Sequence, residues 1–291
     1  MIKIANVTRL SMLGDCIASL PFAVYLEKCF PDSIKIALLD KKCVQLAPLL
    51  INIPYIDGIR ITEKPDQITQ NDEDYFKKFD LVFEPFPTIT EENYYNKRSV
   101  IEETFKMNWL RGKGRINPAE WDKLSKEERS PRLTQYFNAE KNDNYIAIWG
   151  NSGYVTDLAN QKRNPTKEYW ADLVLRLIKK GYKVAQLGTS DHDLISEKTL
   201  DLRRYSLFDA VKFSLGSLVS IGVDSGSQHV IAAYGHPQII LSTYWRSGHI
   251  QCPESLVPVN WKNRAINLFH PTNINSIGYD QIIEGIKILH E

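Results

Sequence analysis

The sequence is poor in the features that mark most specialised classes of protein. It has four cysteines, and Cys16, Cys29, Cys43 and Cys252 form neither a CxxC pair nor a Cys/His cluster with metal-ligand spacing. That pattern excludes a zinc finger and a disulfide scaffold, and it makes buried thiols in a reducing compartment the plain expectation. No run approaches the ~18 consecutive apolar residues of a membrane span. After the opening strand pattern the chain turns polar at once, unlike a secretory leader, so a cytoplasmic protein is expected. An excess of one charge is missing too. With 36 basic and 35 acidic residues the formal net charge is +1. No bulk field then favours nucleic acid or an anionic membrane, and an anionic ligand has to be held by a local site. Internal repeats of solenoid spacing and low-complexity tracts are also absent.

What is present is an ordinary globular composition, 43% hydrophobic over 291 residues, with room for two domains of roughly 100–150 residues. Apolar runs of strand length alternate with helical patterns, the signature of parallel α/β units. The first half reads as strands over Ile2–Val7, Ile34–Leu39, Gly58–Thr62 and Leu81–Phe83, with helices over Asp15–Cys29 and Lys41–Leu50. From Glu91 to Lys141 the pattern is irregular and charged. Its aromatics (Tyr94, Tyr95, Trp109, Trp121) read either as satellite core or as platforms for sugar rings. The second half restarts the alternation. Strands are expected over Tyr145–Trp149, Lys183–Leu187, Leu218–Val223 and Gln238–Ser242, and helices over Thr166–Lys180, Leu207–Ser214, Ser227–Tyr234 and Tyr279–His290. The expected organisation is two facing domains, 1–140 and 141–291, with a cleft between them and a closing C-terminal helix. Ligands of such sheets sit at the carboxyl ends of the strands.

The polar clusters fall at those ends. Val223 ends a strand and is followed by Asp224, Ser225, Gly226, Ser227, Gln228 and His229, which open a helix. Backbone N–H groups and the positive dipole end would face the cleft there. Ser225 is placed to cap the helix and to donate to a phosphate, and Gly226 lets a diphosphate approach the backbone. Asp224 is an acceptor suited to sugar hydroxyls. His229, one turn in, reads as a packing histidine, as a partner that orients Asp224, or as a phosphate contact. Asp15 follows Gly14 at the start of the first helix. Taken alone it is either an N-cap residue worth about 1 kcal/mol or a general base facing the cleft. Asn151, Ser152 and Gly153 either line a phosphate pocket or form a turn. Arg9 either contacts an anionic acceptor or pairs with a carboxylate. Arg163 and Lys167 read as outward-facing charges.

Three stretches together resemble the heptosyltransferase family (glycosyltransferase family 9). Asp224, Ser225, Gly226 and His229, with Ala232, Ala233, Gly235 and Pro237, match its D-[ST]-G-x-x-H segment and the Ala-rich helix that follows. Ser11, Gly14 and Asp15 match its S-x-x-G-D loop. Lys162, Arg163, Pro165 and Trp170 resemble its K-R-W-P-x-E-x-W element, with Asn164 in the aromatic position. The resemblance implies a GT-B fold and inverting, metal-independent transfer of a sugar from a nucleotide diphosphate, ADP-heptose in the family, to a glycan such as lipopolysaccharide core. It makes Asp15 the base and places Lys162 against the diphosphate. It puts an acidic residue, Asp193 or Asp191, on the nucleotide ribose. Asp224, Ser225, Gly226, His229 and Ser152 complete the expected donor site, and Arg9 stands on the acceptor side. No cofactor or metal is expected. The expected partners are the nucleotide sugar and the glycan, without nucleic acid and with peripheral membrane contact left open. Three alternatives remain: a related transferase acting on a capsule glycan, a protein or a modified nucleobase; a sugar-nucleotide epimerase; and a non-catalytic homologue that binds sugar nucleotides.

Overall fold

A computed structural model describes residues 3–8, 13–18, 20–51, 53, 55–62, 81–83, 123–125, 128, 133, 139, 141–151, 163–243 and 264–290. Two parallel sheets organise them. The first has the order β3-β2-β1-β4, built from β1 (Lys3–Thr8), β2 (Ile34–Asp40), β3 (Gly58–Thr62) and β4 (Leu81–Phe83). The second has the order β10-β9-β8-β5-β6-β7. Its central strands are β5 (Asn142–Trp149) and β8 (Ser217–Val223), flanked by β6 (Lys183–Leu187) and β9 (Gln238–Ser242). Two edge strands close it, β7 (Leu200–Asp201) and β10 (Ala265–Phe269). Neither edge is marked by a continuous apolar run, and neither is expected from the pattern alone.

Each sheet reverses its winding once. In the first, β2 and β3 lie on one side of β1 and β4 on the other. In the second, β6 and β7 lie on one side of β5, and β8 starts the other. The crevice at such a reversal, outside the carboxyl ends of the strands, is where open α/β sheets hold ligands. The Asp224 segment leaves β8 at the second reversal, and the segment with Gly14 and Asp15 follows β1 at the first.

Helices cover both faces of the second sheet. The first of these helices (Lys167–Lys179) is started by Thr166, whose hydroxyl accepts from the Tyr169 N–H. Its apolar positions recur at helical spacing, so Tyr169, Trp170, Leu173, Val174 and Leu177 all point inward. They pack with Ile146, Ile148, Ile221, Leu241 and the closing helix (Tyr279–His290) through Ile282, Ile283 and Ile286. Each such side chain contributes about 1.5–3 kcal/mol on burial.

Among the described residues the helices, in chain order, are α1 (Leu13–Ala18), α2 (Leu20–Cys29), α3 (Ala47–Leu50), α4 (Lys167–Lys179), α5 (Leu207–Gly216), α6 (Gly226–Ala233) and α7 (Tyr279–His290). Where one helix over Asp15–Cys29 is expected there are two, α1 and α2, and Pro21 falls in the first turn of α2. A proline there gives no N–H to a preceding turn, which makes it a helix start rather than a helix interior. The expected helix Lys41–Leu50 is a 3-10 turn, Lys41–Leu46, running into α3. The two halves share an apolar cluster: Cys16, Ile17 and Leu20 pack with Val230, Ile231 and Ala233 of α6 and with Val211 of α5. The expected aromatic platforms Tyr94, Tyr95, Trp109 and Trp121 lie outside the described residues, as does Cys252.

Candidate functional site

The start of α1 and the start of α6 touch. A Cβ on Gly226 would lie 2.6 Å from Leu13 Cβ and 2.9 Å from the Gly14 nitrogen, and a Cβ on Gly14 would lie 2.8 Å from His229 Cδ2. Gly14 and Gly226 interlock, and any larger side chain would wedge the two helices apart. Glycine 226 is therefore required here by the approach of one helix to another, a reason different from the expected one of admitting a diphosphate. The contact joins the segment after β1 to the segment after β8. Asp15 lies in the first turn of α1, beside this contact in sequence.

Ser225 occupies the N-cap position of α6 in an extended conformation (φ −156°, ψ 162°), yet its side chain makes no capping bond. The expected cap is absent. Instead the Ser225 hydroxyl oxygen is buried with no hydrogen-bond partner among the described residues. A buried hydroxyl left unmet costs about 1–3 kcal/mol.

Asp224 is buried and held from two sides. Arg163 Nη2 donates to its Oδ2 at 2.6 Å and to its backbone carbonyl at 3.0 Å, with the Arg163 side chain only 16% exposed. His229 Nε2 lies 3.6 Å from Asp224 Oδ1. Arg163 thus points inward and not, as expected, into solvent. The reason is electrostatic: a carboxylate at this depth needs a cation. Asp224, expected to serve sugar hydroxyls, has Oδ2 engaged by Arg163, and the His229 ring lies beside Oδ1.

The neighbouring strand ends are fixed as well. Trp170 is almost fully buried in α4, and its indole N–H donates to the Gly150 carbonyl at 3.0 Å, just past β5. Asn151 follows at once, half-buried. Beyond β6 the loop is pinned from below by the buried Gln186. Its amide donates to the Asp193 carbonyl at 2.8 Å and its oxygen accepts from the Ile195 N–H at 2.8 Å. Asp193 is exposed at the carboxyl end of the sheet. Thr189 hydrogen-bonds the Asp191 carboxyl and holds it below the usual carboxylate range. Burial is the main cause that pushes the His192 imidazole down. Arg203 binds the His192 carbonyl and the Asp201 carboxylate, and the guanidinium lowers the latter to about 2.

Asp224, Gly226 and His229 therefore meet at one place, with Ser225 between them. Asp193 belongs to an adjoining loop, and α1 carries Asp15 to the same edge. Arg9, Ser152 and Lys162 lie outside the described residues. Arg163, Gln186 and Trp170 are the residues that hold the edge together. Of these, Arg163 stands in the segment that resembles the family's K-R-W-P element, but nothing in the sequence pairs it with Asp224. Among the described residues no group of three or more His, Cys, Asp or Glu side chains comes together to hold a metal ion, and no helix is long and apolar enough to cross a membrane.

No protein-family model matches the sequence, and no curated protein matches it. The fold, by contrast, is found in solved structures along nearly the whole chain. The ADP-heptose lipopolysaccharide heptosyltransferase II of E. coli superposes with a TM-score of 0.70 at 16% identity, covering 99% of this chain and 98% of that one. A family 9 glycosyltransferase of Veillonella parvula gives 0.69 at 17% identity, covering 99% and 97%. E. coli heptosyltransferase WaaC, solved with ADP, gives 0.62 at 13% identity, covering 98% and 99%. The chain has the GT-B α/β fold of these enzymes.

Proposed function

We propose that the protein is a glycosyltransferase that moves a sugar from a nucleoside-diphosphate donor to an acceptor hydroxyl. The observation that carries this reading is the interlock of Gly14 with Gly226 and His229. It sets the first turn of α1, with Asp15, against the start of α6, where helix dipole and N–H groups favour phosphate. The GT-B fold and the resemblance of both segments to heptosyltransferase motifs support it. ADP-heptose is the donor we take first, because two of the similar enzymes are described with ADP-heptose or ADP. A lipopolysaccharide-core sugar is the corresponding acceptor.

In this reading residues 1–140 carry the acceptor side and residues 141–291 the donor side. The Asp15 carboxylate takes the proton of the acceptor hydroxyl as its oxygen attacks the anomeric carbon. The bond from that carbon to the diphosphate breaks on the opposite face, its electron pair goes to the leaving phosphate oxygen, and the configuration inverts. The start of α6, the Ser225 hydroxyl and Lys162 stabilise the charge growing on the leaving group. Ser152 lines the phosphate side, Asp193 meets the ribose and Arg9 faces the acceptor. Fixed positive groups make a divalent cation unnecessary, and the reaction is metal-independent.

A calorimetric screen of ADP, UDP, GDP and CMP, followed by release of nucleoside diphosphate from the matching sugar donor with and without EDTA, tests the proposal. Selective binding of ADP, with turnover that persists in EDTA, is the expected result. Binding of none of the four would remove the reading, and strict dependence on a divalent cation would remove its mechanism.

A further inference from the structure

The Arg163–Asp224 pair raises a question that the reaction itself does not answer. A helix start that accepts a diphosphate is preceded, two residues before Gly226, by a buried carboxylate. An anion in that position repels the ligand that the helix attracts. The structure contains a counter-charge. Arg163 comes from a loop 61 residues away in sequence and places one guanidinium nitrogen on both the Asp224 carboxylate and the Asp224 carbonyl. The double contact fixes the backbone from which Ser225 and Gly226 depart, as well as the side chain. His229 faces the second carboxylate oxygen, so the carboxylate also sets the ring beside Gly14.

We infer that Arg163 is a positioning residue that cancels the charge of Asp224 and so opens the start of α6 to the diphosphate of the donor. The inference rests on the transferase reading for its ligand, and it assigns to Arg163 an action through Asp224 rather than a grip on phosphate. It also accounts for the burial of an acidic residue beside an anion site. The carboxylate holds the loop and the ring in place, and the guanidinium removes its electrostatic penalty.

The test measures ADP and adenosine binding by calorimetry in the full chain, with far-UV circular dichroism as the check on folding. Arg163→Met should weaken ADP by roughly tenfold or more and leave adenosine within about twofold, because only the phosphates are repelled by the unpaired carboxylate. Adding Asp224→Asn to that variant should restore most of the lost ADP affinity. Asp224→Asn alone keeps the shape of the side chain, and should bind ADP as tightly as the native chain or more so. Arg163→Lys should retain most of the affinity. If Arg163→Met does not fold, the Asp224→Asn and Arg163→Lys results decide alone. Equal loss of ADP and adenosine, or no recovery in the double variant, would overturn the charge-cancelling role while leaving the transferase reading intact. A native chain that binds no nucleoside diphosphate would overturn both.

Discussion

The two ends of α6 are built to opposite specifications. At its C-terminal end the carbonyls of Ile231, Ala232 and Ala233 all find partners. Gly235 takes a positive φ of 67°, its N–H reaches the Ala232 carbonyl at 2.8 Å, and the His236 N–H reaches the Ile231 carbonyl at 3.4 Å. This is the paired closure that a glycine just past a helix allows. Leu133 donates to the Ala233 carbonyl at 2.8 Å, and Ser217 Oγ lies 3.4 Å from His236 Nε2. At its N-terminal end the N-cap Ser225 makes no capping bond, and its buried hydroxyl has no partner among the described residues. One end is closed by hydrogen bonds within the protein, and the other is the end at which the proposed donor phosphate would sit. Unmet polar groups at a helix start cost stability, and in the proposed reading the donor phosphate would meet them at this strand's carboxyl end. Changes at the first end should therefore cost stability, and changes at the second should cost function.

The largest expected effect lies at the N-terminal end, on the helix that touches it. Asp15→Asn should lower turnover by roughly a hundredfold or more, as loss of a general base does, with ADP affinity unchanged by calorimetry. Undiminished turnover in a folded Asp15→Asn protein would take the base away from this residue.

The opposite end gives the next largest effect, and it is one of stability. Burial is the main cause that pushes the His236 imidazole down to about 4, with the positive charge of Arg264 adding to it. The folded pKa is below the unfolded one, so the unfolded chain binds the proton more readily. Stability from this group is complete above about pH 6.5 and is lost as pH falls from there toward 4, by about 3 kcal/mol. Urea unfolding across that window should show the loss in the native chain and a shallower slope in His236→Gln. Identical slopes would show that the imidazole is not held neutral.

A smaller effect returns to the interlock. Gly226→Ala places a methyl group where Leu13 and the Gly14 backbone already are, and such overpacking costs about 1–3 kcal/mol. Because the displaced element carries Asp15, turnover should fall further than global stability does. A loss confined to the melting temperature would mean that α1 and α6 need not meet for function.

The same contrast explains what could be read from the sequence. The central strands were legible because parallel strands buried on both faces must be apolar throughout, as in Ile146–Trp149 and Ile239–Leu241. The C-terminal end of α6 was legible for a similar reason, since Gly235 marks a turn that few other residues allow. The edge strands β7 and β10 escaped, because one is two residues long and the other only half-buried. The segments after β1 and β8 stood out as motifs, but not the packing contact between them. Gly14 and Gly226 read as loop glycines until the helices are seen to approach. Arg163 read as a solvated charge because its partner is 61 residues distant. Local chemistry shows in local sequence; a contact made by the fold does not.

The smallest expected effect separates the two ends most cleanly. Replacing a serine N-cap by alanine ordinarily costs about 1 kcal/mol of stability, because the hydroxyl satisfies a helix N–H. Ser225 makes no such bond, and its buried oxygen has no partner to lose. Ser225→Ala should therefore leave the unfolding free energy from urea titration no lower than that of the native chain, and up to about 1–3 kcal/mol higher once the unmet polar atom is gone. Its cost should appear only when a ligand is present. A hydroxyl that donates to a phosphate contributes about 1–1.5 kcal/mol, so ADP affinity should fall by roughly five- to tenfold while adenosine affinity holds. A drop in stability of the ordinary capping size, with ADP binding unchanged, would mean that Ser225 caps α6 after all and that the helix start is complete without a ligand.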